Sequence, residues 1–123
     1  MTAAETWLRE RLSDAPPRLL DAMVAAVRSA GAEAGVAVDP AASVDRDDGG
    51  VPDALAAAAL MLYERVLAGS GKREDALPLL AADALMTHAL EAQAEIDADG
   101  LAGFDERWGA AGKLGEMAAR LPA

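Results

Sequence analysis

The chain has 123 residues, a net charge of −10 and no cysteine. That length argues for one domain, 1–123. The missing cysteine excludes disulfide and thiolate chemistry, and the acidity, 21 Asp and Glu against 11 Lys and Arg, opposes nucleic acid and anionic membranes as partners. Alanine makes up roughly a quarter of the chain, well above ordinary usage. The only aromatics are Trp7, Tyr63, Phe104 and Trp108. A small chain with so few bulky side chains often gains stability by oligomerising.

In chain order, Thr2-Ala3-Ala4-Glu5 reads as a capping box, with Thr2 at N-cap and Glu5 three residues on. A short helix follows to about Leu12. Ser13–Pro17 stops it, and a second helix begins near Pro16, since proline is tolerated in a first turn. Leu19, Leu20, Met23, Val24, Val27 and Ala30 form its 3.6-period stripe. Gly31 and Gly35 are its candidate ends.

Residues Val36–Gly50 read as a loop. Asp45, Asp47, Asp48 and Asp53 crowd it, but the spacing does not match a calcium loop, because position 12 counted from Asp45 is Ala56. A third helix starts at Pro52 and runs to about Ala68. It is apolar from Ala54 to Leu62 and ends at Gly69-Ser70-Gly71.

The stretch Asp75–Asp97 is the longest breaker-free apolar run. Asp75 is its candidate N-cap and Pro78 falls in the first turn. Between Leu77 and Leu90 only Asp83, Thr87 and His88 are polar. A helix apolar nearly all round is expected to be buried nearly all round. Leu80 and Leu85 therefore read as equally dry, and Glu91, Gln93, Glu95 and Asp97 as a wet tail. A final helix is expected from Leu101 to Leu121, continuous or broken near Gly109–Gly112. No repeat or coiled-coil heptad run is visible. The fold class is all-α: a single-domain bundle of about five helices around a buried central helix, 75–97.

Three candidate sites follow. His88, Glu91 and Glu95 share a helix face by their spacing, and Glu5, Glu10 or Glu64 is positioned to complete a carboxylate-rich metal site. Yet the order is His-x-x-Glu, and the chain has one histidine. The alternative is a solvated helix face. Gly69-Ser70-Gly71-Lys72-Arg73 offers backbone N–H groups and two cations, Lys72 and Arg73, to an anion, without the spacing of a P-loop. The third candidate is an interface. Gly109, Gly112 and Gly115 each weaken a helix by about 1 kcal/mol. If the helix is continuous, close approach of a second chain explains them, giving a homodimer through Trp108, Gly112, Gly115, Met117 and Leu121.

Ala68–Arg73 followed by Pro78-Leu79-Leu80 resembles the GGKRxRPxL segment of trans-isoprenyl diphosphate synthases. Ala82–Thr87 is similar to that family's GDALLT helix, and Tyr63 matches a tyrosine on the helix before. The resemblance covers about thirty residues. It implies that Lys72 and Arg73 face a pyrophosphate. It also departs from the family: four residues separate Arg73 from the proline instead of two, and no DDxxD motif is present. The resemblance therefore implies a non-catalytic relative, such as the small subunit of a two-component prenyl synthase.

The expected function is non-enzymatic: an acidic helical protein acting by self-association, as a dimer, or by binding a protein partner. It calls for no cofactor, and its expected location is the cytoplasm. No run reaches the roughly 18 apolar residues of a membrane span.

Overall fold

The computed structural model describes residues 2–34 and 50–120. The expected loop at 36–49, with Asp45, Asp47 and Asp48, lies outside the described residues, as does Leu121. Within them the fold is all α-helical. The helices are α1 (Ala3–Arg11), α2 (Pro17–Ala34), α3 (Gly50–Ala68), α4 (Ala76–Asp97), α5 (Leu101–Trp108) and α6 (Lys113–Ala119). Short 3₁₀ turns, Arg73–Asp75 and Ala98–Gly100, lead into α4 and α5.

Each boundary has a local cause. Thr2 caps α1, its hydroxyl accepting from the Glu5 N–H at 3.2 Å. Glu5 does not reach back to complete a capping box. It turns inward instead. In α2 the predicted stripe is the buried one, with Met23, Val24 and Val27 in the core. Gly31 does not end this helix, which runs on to Ala34. Pro52 sits in the first turn of α3, where its missing N–H costs no helical bond.

The centre of the bundle is α3 rather than the helix at 75–97. Val51, Leu55, Ala56, Ala58, Ala59 and Leu62 of α3 are all buried. It contacts α1, α2, α4 and α6. Helix α4 buries one stripe only: Ala81, Ala82, Leu85, Ala89, Ala92 and Gln93. Leu85 is fully buried, but Leu80 is 59% exposed, Leu79 42% and Leu90 44%. The expectation that α4 is dry nearly all round from Leu77 to Leu90 is thus corrected, and Gln93, expected in the wet tail, is buried. The reason is side-chain size. Helix α4 packs most extensively on α3; four of its six buried residues are alanine, and Ala56, Ala58 and Ala59 are buried on α3. Small residues let two helices approach closely, and the leucines are left on the far side.

The expected final helix is two helices. Gly109 N–H donates to the Asp105 carbonyl at 2.8 Å, and the Gly109 carbonyl accepts from Gly112 and Gly115 at 2.9 and 3.1 Å. A Cβ on Gly112 would stand 2.4 Å from the Arg107 carbonyl, and one on Gly115 would stand 1.9 Å from the Ala110 carbonyl. These glycines are explained by a tight turn of the chain against itself.

Candidate functional site

The Gly-rich turn between α3 and α4 holds an internal carboxylate. Gly71 adopts φ 73°, the left-handed region that glycine enters without strain. Its N–H donates to Asp75 Oδ2 at 2.8 Å. A Cβ on Gly69 would stand 2.8 Å from the same oxygen. Asp75 occupies the N-cap position of α4, but its side chain folds back into the turn and makes no capping bond. Lys72 and Arg73 are exposed beside it. A carboxylate therefore sits where this loop would otherwise cradle an anion, and two like charges in one small loop repel.

His88, Glu91 and Glu95 do share a face of α4, but the carboxylates turn to a cation on α1. Arg11 donates to Glu91 Oε1 at 3.3 Å and to both carboxylate oxygens of Glu95, Oε2 at 2.7 Å. This pairing holds the Glu95 carboxyl below its usual range and raises the Arg11 guanidinium above its own, with the Glu95 hydrogen bond the main cause in both cases. His88 Nδ1 lies 3.3 Å from Glu91 Oε2, and its ring meets Trp7 edge-on at 6.0 Å. Arg11 also stacks over Trp7, 5.0 Å from the ring centroid. The result is an α1–α4 clasp of Trp7, Arg11, His88, Glu91 and Glu95. Glu5 and Glu64, read as further ligands, point elsewhere: Glu5 to Arg28 at 3.0 Å and Glu64 to Arg120 at 3.5 Å. Among the described residues no three His, Asp or Glu side chains converge as a metal would need.

The expected interface residues are engaged inside the chain. Trp108 Nε1 donates to Asp53 Oδ1 at 2.7 Å, and Arg107 Nη2 donates to the same oxygen at 3.0 Å. Asp53 lies in the first turn of α3, where a negative charge suits the helix dipole. It ties the end of α5 to the start of α3. Met117 and Gly112 are buried. The premise that the glycines require a second chain falls away, because the turn accounts for them.

Two features were not legible beforehand. Glu5 is 2% exposed, and its Oε2 has no hydrogen-bond partner among the described residues. Its place in a capping-box pattern hid that role. The second is the outward side of α4. Ala76, Leu80, Asp83, Thr87, Leu90 and Ala94 are all exposed, and Leu79 lies beside them. No lysine or arginine occurs anywhere in α4. Leu67 of α3, 50% exposed, lies elsewhere, in a cleft with Glu64, Ala68, Met117 and Arg120.

One cleft of about 540 Å³ lies between α3 and α6 and is lined by Leu60, Glu64, Lys113, Glu116, Ala119 and Arg120. A smaller cleft of about 140 Å³ lies among Ala22, Ala26, Leu62, Leu77 and Pro78, with Ser29 and Arg65 at its wall. No described helix is long and apolar enough to cross a membrane. No protein-family model, curated protein or solved structure matches the chain.

Proposed function

We propose that this chain is a non-enzymatic association module that works through helix-to-helix contact, with a second copy of itself or with a protein partner. The observation that supports this is the outward face of α4. Leu79, Leu80 and Leu90 stand exposed on one helix that has no basic side chain. Leucines that meet no core cost free energy in water, by the same transfer term that stabilises buried ones. Single exposed leucines are ordinary, but this helix exposes bulky apolar residues at both ends of one face, Leu79 and Leu80 at one and Leu90 at the other, and such a face marks an interaction surface. An accessory-subunit role of the kind the synthase resemblance implies belongs to this class. It asks for association and not for diphosphate binding at the Asp75-filled turn.

Sedimentation velocity across a concentration series up to tens of micromolar tests the reading, alone and with cleared extract of the native host. A sedimentation coefficient that rises with concentration supports self-association, and one that rises only with extract supports a partner. A single slow species in both conditions contradicts the reading.

A further inference from the structure

The exposed positions of α4 carry a pattern with its own symmetry. Ala76, Leu80, Asp83, Thr87, Leu90 and Ala94 are spaced four, three, four, three and four apart. That is the a/d spacing of a coiled-coil seam, and every member is exposed. An apolar heptad count misses it, because Asp83 and Thr87 fill the two middle positions. The seam reads nearly the same from either end. Ala76 mirrors Ala94, Leu80 mirrors Leu90, and Asp83 mirrors Thr87, all about Leu85. An isologous two-fold contact requires such self-complementarity, since each residue must suit its mirror partner.

We infer that the occupant of this face is a second copy of the same helix, packed antiparallel about a two-fold axis that crosses the outer face of α4 at the level of residue 85. This rests on the association reading above and names its partner and register. In this arrangement Leu80 of one protomer meets Leu90 of its partner twice, and alanines close both ends. Asp83 faces Thr87 of the other protomer rather than a second carboxylate. A parallel arrangement would set Asp83 against its own copy, placing like charges side by side. The Asp83 carboxylate already accepts from Tyr63, so it does not enter the contact unsatisfied. Thr87 donates its hydroxyl to the Asp83 carbonyl at 2.9 Å, which leaves its methyl to the seam. Half-buried Met86 flanks the axis. Two protomers of net charge −10 repel at long range, so added salt favours this dimer by screening.

Because the chain has no cysteine, the register is readable by cross-linking. Leu80→Cys and Leu90→Cys chains, each alone and then mixed in equal amounts, are treated with a short bis-maleimide. The antiparallel register predicts cross-linked dimer in the mixture and little in either variant alone, since equivalent positions then lie about 15 Å apart along the axis. Efficient cross-linking of the Leu80→Cys chain alone overturns the inference in favour of a parallel pair. A wild-type dimer by light scattering with no cross-link in the mixture overturns this register and leaves the association reading standing. A wild-type monomer at tens of micromolar that gains mass only with host extract overturns the second copy as occupant, again leaving association with another protein.

Discussion

The Tyr63 hydroxyl on α3 donates to Asp83 Oδ1 on α4, twenty residues further along the chain. This bond latches the two helices of the central hairpin at the edge of their alanine contact. It also supplies a donor to the one carboxylate in the middle of the exposed seam. Burial first, and then the bond to Asp83, raises the Tyr63 phenol well above its ordinary value. The folded state therefore keeps its proton at a pH where the unfolded chain has lost it. Stability from this group is complete below about pH 10, the ordinary phenol value, and declines as pH rises beyond it. Urea melts from pH 8 to 11 should show that decline in wild type and a weaker one in Tyr63→Phe.

At the acid end the sign reverses. Glu95 is held below the usual carboxylate range by Arg11. Its contribution is present above that range and is lost as pH falls through its folded value. Glu95→Gln should flatten the acid limb of the stability profile slightly, because the pair is exposed and well screened. The same substitution should release the clasp, seen as a change in Trp7 fluorescence.

Leucines five residues apart on α4 should behave oppositely. Leu85 is fully buried, and Leu85→Asp places an unpaired charge in the core, a cost of several kcal/mol against a total of about 5–15. It should abolish cooperative unfolding by circular dichroism. Leu80→Asp lies on the exposed face and should keep normal helicity, with a midpoint within a few degrees of wild type.

That contrast shows how far the sequence carries the fold. Helix positions were legible because caps and breakers are local: Thr2, Pro17, Pro52 and Gly69–Gly71 each act within a turn. The buried stripe of α2 was legible because its large residues recur every 3.6 positions. The orientation of α4 was not, since its hydrophobicity is spread all round and periodicity cannot choose a face. Packing chose it, burying the stripe in which Ala81, Ala82, Ala89 and Ala92 surround Leu85. The candidate metal face was legible as a cluster, yet Arg11 comes from eighty residues away to pair with Glu91. No spacing rule announces such a contact. The expected dimer at Trp108–Leu121 rested on glycines whose explanation is steric and internal.

Two glycines separate those explanations. Gly31 lies within α2 with nothing within 4 Å of an added Cβ. Gly31→Ala should stabilise by about 0.5–1 kcal/mol, as helix propensity predicts. Gly115→Ala drives its Cβ into the Ala110 carbonyl, and should cost roughly 1–3 kcal/mol through forced backbone movement. Thermal melts of the two variants should shift in opposite directions. A stabilised Gly115→Ala would mean that the turn after α5 does not need its close approach.

The outward face of α4 as the working surface is tested most directly by the solution mass of two proteins. Wild type and the Leu80→Glu/Leu90→Glu double variant are compared by multi-angle light scattering from low to tens of micromolar, with helicity checked by circular dichroism. The predicted result is a wild-type mass that climbs towards twice that of one chain, and a variant that stays at one chain with unchanged helicity. A wild type that holds the mass of one chain throughout, or a variant that dimerises as well as wild type, would contradict self-association through this face.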